Sequence, residues 1–178
     1  MVLQNVPTPT ASGIDLRRAE FSTLTEALDF AAAGRTGFNY YNGRGELTTV
    51  LSYCELRDRA RALARRLQGL GRGARVALVA HTHPDFAVMF YACQYAAVVP
   101  VPLPAAIHLG GHEAYVRHLR QMVLDCRASA AFAPAEVLGA FMAQFYDDKP
   151  PPRLLLVSHE FEERALLGAA LSAKSGRK

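Results

Sequence analysis

Several features of exported and metal-binding proteins are missing from this sequence. It has three cysteines, an odd number, at positions 54, 93 and 126, and no two of them form a CxxC pair. Neither a disulfide framework nor a cysteine-based metal site is therefore indicated. The N-terminus has no basic segment followed by an apolar one, so a signal peptide is not predicted. We expect a reducing, cytoplasmic compartment for such a chain.

Motifs for binding phosphate are also absent. There is no GxxxxGK[ST] sequence and no Ser/Thr/Gly-rich loop after a predicted strand. The Gly71-Arg72-Gly73 segment precedes a strand, whereas the glycines of a dinucleotide fingerprint follow one. Taken alone, the chain therefore offers no motif that would handle ATP.

Histidines and net charge exclude two further classes of site. His81 and His83 lie two residues apart, but no Asp, Glu or Cys completes a four-ligand set at zinc spacing. The net charge of +4 is modest, and the arginines of residues 57–66 are mixed with an acidic residue. We interpret this helical segment as having a solvated face and not a phosphate-binding one, and we predict no nucleic-acid binding.

The longest uncharged stretch, residues 86–107, is long enough to suggest a transmembrane helix. Pro100, Pro102 and Pro104 would break that helix, and no basic flank marks a cytoplasmic end, so no membrane span is predicted. In a strand, these alternating prolines remove the N–H donors from one edge only. The strand then pairs along its other edge, or it leaves the sheet as polyproline II.

The centre of the chain has the pattern of a βαβ unit. Residues 76–80 form a short apolar run typical of a strand buried on both faces. Thr82 or His83 can cap a helix that has Pro84 at its first position, and residues 85–97 are apolar nearly all round, as in a buried helix. A second apolar strand follows at 98–103. This order predicts a parallel sheet with a right-handed crossover.

The remaining elements complete an α/β pattern. Residues 37–41 and 46–51 flank an Asn-Gly-Arg-Gly turn and predict a β-hairpin. Capping boxes, Thr23 with Glu26 and Ser52 with Glu55, start two helices before and after it. Further predicted helices cover 113–125, 134–145 and 160–173, and further strands cover 128–133 and 153–158. The predicted fold is layered α/β, with a mainly parallel sheet flanked by helices and an added β-hairpin. We expect one unit at 21–173, after a flexible N-terminal lead-in at 1–20 and before a tail at 174–178.

Four segments carry a resemblance to a known family. They are LTEALDFAAAG, FNYYNGRGELTTVLSYCELRDRARALARRLQGLG, GARVALVAHTHPDFAVMFYACQYAAVVPVPLP and GGHEAYVRHLRQMV. From residue 21 to about residue 170, the chain resembles the N-terminal part of the fatty acyl-AMP ligases. These belong to the adenylate-forming enzymes, with the acyl-CoA synthetases and the adenylation domains of nonribosomal peptide synthetases. The run at 110–115 is the segment more specific to the acyl-AMP ligase branch.

The resemblance implies a function for a longer protein. An intact enzyme of this family uses ATP and Mg²⁺ to convert a fatty acid to an acyl-adenylate and pyrophosphate, and then passes the acyl group to an acyl carrier protein. In family members the phosphate loop, the adenosine contacts and the catalytic lysine lie beyond the part that resembles this chain. We therefore expect the chain alone to be inactive, with the rest of the ligase, a fatty acid and a carrier protein as partners. The alternatives are part of a fatty acyl-CoA ligase, or a non-catalytic module that binds an acyl chain or a carrier protein.

Five residues are candidates for one wall of the acyl tunnel that this resemblance implies, because a fatty acid needs a long apolar channel. The candidates, from the βαβ unit, are His81, Phe86, Phe90, Pro102 and Leu103. Ordinary core packing is the alternative, above all for the two phenylalanines. No catalytic or metal-binding residue is assigned. A part of a larger enzyme can expose apolar surface that the rest would cover, so self-association is expected.

Overall fold

The computed structural model describes residues 13–15, 17, 20–80, 82–105, 112–133 and 169. The elements in chain order are α1 (Leu24–Ala31), β1 (Gly37–Tyr41), β2 (Leu47–Ser52), α2 (Tyr53–Leu67), a 3₁₀ turn (Gln68–Leu70), β3 (Arg75–Ala80), α3 (Pro84–Tyr95), β4 (Val99–Pro104), α4 (His112–Asp125) and β5 (Ala130–Phe132). The predicted elements at 134–145, 153–158 and 160–173 lie outside the described residues, apart from Ala169. So do the predicted tail and most of the lead-in.

The βαβ unit forms the centre of the fold, as predicted. Strand β3 pairs in parallel with β4 on one side and with β5 on the other. Val76, Ala77 and Leu78 of β3 are each at most 1% exposed, and because successive side chains of a strand point to opposite faces, both faces of the sheet are covered here. The antiparallel pair of β1 and β2 forms a separate two-stranded sheet, which confirms the predicted hairpin. The layered α/β fold class is therefore confirmed.

The proline-rich strand β4 pairs along one edge. The Val99 N–H donates to the Ala74 carbonyl oxygen at 2.8 Å, and the ladder continues to Pro104 opposite Ala80. Odd-numbered residues of β4 therefore direct their N–H groups at β3, and the proline nitrogens lie on the opposite edge. The Tyr115 hydroxyl donates to the Pro104 carbonyl oxygen at 3.0 Å. The chain stays in the sheet here, so the polyproline alternative does not apply to these residues.

The ends of α3 follow from local chemistry. His83, and not Thr82, is the N-cap, since its Nδ1 accepts the Asp85 N–H at 3.2 Å. The helix ends at Tyr95, two residues before the predicted end. Ala97 has a φ of 54°, and the Val98 N–H donates to the Cys93 carbonyl oxygen at 3.0 Å. A left-handed residue with this hydrogen bond terminates a helix, and alanine gives little sequence signal for it.

Arginines on α2 form ion pairs with the two neighbouring helices. Arg61 lies 2.9 Å from Asp29 of α1, and Arg59 lies 2.7 Å from Asp85 of α3. Asp29 also accepts a hydrogen bond from the Tyr95 hydroxyl. The Arg61 guanidinium carbon lies over the Tyr95 ring, 5.3 Å from its centroid. The predicted solvated face of α2 is therefore only partly solvated. Each exposed ion pair contributes at most about 1 kcal/mol, so these pairs mainly orient the helices.

Two apolar clusters account for most of the described core. The larger one lies between the sheet and helices α2 and α3, around Leu67, Leu78 and Met89. The smaller one joins α1 and the hairpin to α2 and α3 through Leu28, Leu51, Leu56 and Val88. Within the described residues, no helix is both long enough and apolar enough to cross a membrane.

The cysteines differ in environment, which predicts different thiol reactivity. Cys93 is fully buried on α3, and burial raises its pKa to about 12, whereas Cys54 is exposed at the start of α2. Because the thiolate is the reactive form, we expect a disulfide reagent at pH 8 to modify Cys54 rapidly and Cys93 only after unfolding. The measurement is reagent-release absorbance on single-cysteine variants. Rapid modification of Cys93 in native buffer would contradict the buried position.

Candidate functional site

A cavity of about 570 Å³ lies between the β1 strand and helix α3. Its size is within the range of small-molecule sites, roughly 300–1,000 Å³. Most of its lining is aromatic, and it is formed by Phe38, Asn39, Tyr40, Tyr41, Thr82, Phe86, Ala87, Phe90 and Tyr91.

Helix α3 supplies one wall. Phe86 and Phe90 are four residues apart and so lie on one face of the helix. Their ring centroids are 6.4 Å apart, and Phe90 meets Tyr91 edge to face at 5.8 Å. All three side chains are half-buried, whereas the opposite face of the helix, with Met89 and Cys93, is buried in the core. The helix can therefore be apolar all round because one face packs on the sheet and another lines the cavity.

Strand β1 supplies the other wall. Phe38 and Tyr40 are two residues apart and share one face of the strand. Their rings meet edge to face at 6.5 Å, and Phe38 makes a second such contact with Tyr53 of α2 at 5.3 Å. Phe38 remains 37% exposed. The hairpin thus presents an aromatic surface to α3 while a contact with α2 holds it in place.

The polar groups beside the cavity are mostly neutral or already paired. Thr82, just beyond the carboxyl end of β3, and Asn39 are both exposed. Burial raises the pKa of Tyr40, with a smaller lowering effect from Arg59 and a raising effect from Asp85. Arg59 is held by Asp85 at 2.7 Å and by Glu55 at 3.4 Å. The cavity therefore suits an apolar ligand, at the end of a parallel strand where α/β sheets bind ligands.

The structure brings together two of the five residues proposed from the sequence. Phe86 and Phe90 line the cavity, and His81 lies outside the described residues. Pro102 is exposed on β4, and Leu103 is 6% exposed in the core; neither lines this cavity. The role of His81, Pro102 and Leu103 in an acyl tunnel stays a prediction.

Sequence reasoning missed the contribution of the hairpin to the cavity. The GFNYY segment was recognised as an aromatic strand. Its position opposite α3 depends on packing between residues far apart in the chain. The three aromatic residues of this short strand could have indicated it, because a two-stranded sheet with an aromatic face needs another element to cover that face.

Among the residues that the structure describes, no set of three or more His, Cys, Asp and Glu side chains is suitably grouped to hold a metal ion. Nor does the sequence supply a glycine-rich phosphate loop after β3. No step of ATP chemistry can therefore be derived from these residues.

Comparison with known proteins places this geometry in a family. The sequence model of the AMP-binding enzymes matches residues 32–175, which is most of the chain. The chain belongs to the AMP-binding enzyme family. Its α/β architecture also matches the N-terminal part of solved adenylate-forming enzymes.

Two similar proteins have names that refer to acyl groups. This AMP-binding family chain is 47% identical over 136 residues to "Putative acyl-CoA synthetase" of Caulobacter vibrioides, covering 75% of the chain and 24% of that protein. It superposes with a TM-score of 0.72 and 35% identity on a structure from work on the fatty acyl-adenylate ligases of E. coli and L. pneumophila. That match covers 86% of this chain and 26% of the solved one. The chain thus spans about a quarter of the length of these relatives.

A second similarity covers a shorter stretch. Over 52 residues, the AMP-binding family chain is 67% identical to UvrABC system protein C of Rhodopseudomonas palustris, covering 29% of this chain and 7% of that protein. Because only 34 residues lie outside the AMP-binding enzyme match at 32–175, this 52-residue stretch overlaps that match. A stretch that covers 7% of UvrABC system protein C does not indicate that this chain shares the activity of that protein.

Proposed function

We propose that this chain is the N-terminal part of a ligase that activates a fatty acid with ATP as an acyl-adenylate, and that the aromatic cavity holds part of the acyl chain. The cavity between β1 and α3 carries the proposal, because its lining offers apolar contacts along two walls. The similarity to fatty acyl-adenylate ligases at 35% identity supports the choice of substrate class. ATP and Mg²⁺ would be held by the rest of the ligase.

The activity is tested by fatty-acid-dependent exchange of pyrophosphate into ATP. The assay compares this chain with the same chain completed by the remaining sequence of a matching ligase. We expect exchange by the completed protein only, because the present sequence contains no phosphate loop. Exchange by neither protein with any fatty acid would contradict the proposed substrate class. Exchange by the shorter chain would contradict the assignment of ATP chemistry to the remainder.

The cavity is tested by shortening one of its aromatic side chains. We expect Phe90→Ala to weaken binding of a pyrene-labelled fatty acid about tenfold, because a half-buried phenyl ring contributes roughly 1.5 kcal/mol of apolar contact. The measurement is a fluorescence titration of the chain. Phe30→Ala is the matched control, since Phe30 is also half-buried but packs on Phe21 of the N-terminal segment and does not line the cavity. Equal losses in both variants would count against the cavity.

The name of the Caulobacter relative favours a second candidate, an acyl-CoA ligase. Both candidates form the acyl-adenylate and differ in the thiol that accepts the acyl group. Supplying the completed protein with coenzyme A, or with a phosphopantetheinylated carrier protein, separates them by the thioester formed. We propose the carrier protein as the acceptor, because the acyl-adenylate ligase match is structural and covers more of this chain.

The remaining parts of the proposal concern partners and location. We propose that His81, Pro102 and Leu103 extend the acyl-binding wall once the rest of the ligase is present, and that the enzyme acts in the cytoplasm. Exposed apolar side chains support the prediction of self-association. They include Tyr41, Leu47 and Val50 on the hairpin, each more than half exposed.

A further inference from the structure

Five exposed arginines lie at the end of the central sheet where its parallel strands begin. They are Arg65 and Arg66 in the last turn of α2, Arg72 in the turn before β3, Arg75 at the start of β3 and Arg127 shortly before β5. A short connection joins α2 to β3, so the last turn of α2 lies at this end. The Ser129 N–H donates to the Arg75 carbonyl oxygen at 2.8 Å, which brings the segment before β5 next to the start of β3.

This group of five, which we call the arginine end, carries the positive excess of the chain. Among the residues that the structure describes, none of the five side chains forms an ion pair with a carboxylate. Asp125, at the end of α4, accepts a hydrogen bond from the Gln121 amide at 2.7 Å. The five arginines and Asp125 have a formal charge of +4, which equals the net charge of the whole chain. The field at this end therefore attracts anions.

The surface between the arginines is open and partly apolar. A Cβ built at Gly69, Gly71 or Gly73 would meet nothing within 4 Å, so the turns that lead into β3 face open space. Val99 of β4 lies opposite Arg75 in the sheet register and is 45% exposed. An aliphatic side chain beside guanidinium groups fits the boundary between lipid head groups and acyl chains. Single-stranded nucleic acid would instead need exposed aromatic rings on which its bases stack.

We propose that the arginine end is the surface through which this protein binds a membrane that contains anionic phospholipid. A guanidinium group donates paired hydrogen bonds to a phosphate, and each basic residue near an anionic bilayer adds to the attraction. An acidic protein would match the charge, but the open turns between the arginines offer it few side chains to pack against. The aromatic cavity lies beyond the other end of β3, next to Thr82, so the proposal does not depend on the cavity.

The test is sedimentation of this chain with lipid vesicles. Vesicles of three parts phosphatidylcholine to one part phosphatidylglycerol are compared with vesicles of phosphatidylcholine alone. We expect the partition coefficient to be at least about tenfold higher for the anionic vesicles, and the difference to shrink in high salt, because exposed charges are screened. Equal partition into both kinds of vesicle, or no binding to the anionic ones at low salt, would overturn the proposal.

A pair of charge-removing variants separates the position of the charges from their number. Arg72→Gln combined with Arg75→Gln should lower the partition coefficient on anionic vesicles about 25-fold. Arg35→Gln combined with Arg44→Gln is the matched control and should change it by less than about threefold. It removes the same net charge, but Arg44 lies in the hairpin turn and Arg35 precedes Thr36, whose carbonyl oxygen accepts the N–H of the first residue of α2. Equal losses in both double variants, with unchanged circular dichroism, would contradict a localised surface.

Three further measurements distinguish other occupants of the arginine end. Phe90→Ala should leave vesicle binding unchanged, and a loss as large as that of the arginine variant would make the cavity the lipid contact. The chain completed by the remaining sequence of a matching ligase should also bind. Binding by the shorter chain alone would overturn the proposal, because the rest of the ligase would then cover the arginines. Tighter binding to a short DNA duplex than to anionic vesicles would assign the arginine end to nucleic acid instead.

Discussion

Gly37→Ala is expected to destabilise the chain by about 3 kcal/mol, the upper end of the usual cost of overpacking. A Cβ at this position would lie 2.2 Å from the Leu51 carbonyl oxygen and 2.6 Å from the Ser52 Cα. Both are backbone atoms of β2, so no change of side-chain rotamer relieves the clash, and the two strands of the hairpin have to separate at this end. The measurement is the free energy of unfolding in urea, followed by circular dichroism.

Gly43→Ala is the control for that experiment. Gly43 lies in the turn of the same hairpin, and nothing is within 4 Å of a Cβ built there. We expect its stability to change by no more than about 0.5 kcal/mol. Because Phe38 and Tyr40 follow Gly37 on β1, Gly37→Ala should also weaken fatty-acid binding, and Gly43→Ala should not. Similar unfolding energies for the two variants would show that the close approach at Gly37 is not required.

Local chemistry explains which parts of the fold could be predicted from the sequence. Helix starts depend on side chains within three residues, so Thr23 and Ser52 were recognisable as caps, and both accept the predicted N–H. The spacing of Pro100, Pro102 and Pro104 likewise fixed the pairing edge of β4, because each missing N–H is a covalent property of the residue. Such features require no knowledge of the neighbouring elements.

Features that depend on distant residues could not be predicted in this way. The ion pairs of Arg59 and Arg61 join residues 26 and 32 positions apart. The cavity joins β1 to α3, and no periodicity distinguishes a phenylalanine that lines it from one that fills the core. Reasoning from motifs also missed the similarity to UvrABC system protein C. That similarity consists of identical residues spread over 52 positions, and it contains no motif with its own chemistry.

Truncation of Leu78 is expected to have the other large effect. Leu78 is fully buried at the middle of β3, opposite Pro102 on one neighbouring strand and Phe132 on the other. Its position between two strands and under helices leaves little room for collapse, so Leu78→Ala should cost about 3–4 kcal/mol, within the range for buried leucines. The same urea denaturation measures it, with the slope of the transition checking that the unfolded state is unchanged.

Leu47→Ala provides the comparison, since Leu47 has the same side chain but is 53% exposed on β2. We expect it to change the free energy of unfolding by less than about 1 kcal/mol, because most of its apolar surface already contacts water. The difference between the two leucines therefore measures burial at the centre of the sheet. If both variants cost the same, β3 would not be the buried strand on which the βαβ unit and the adjoining cavity depend.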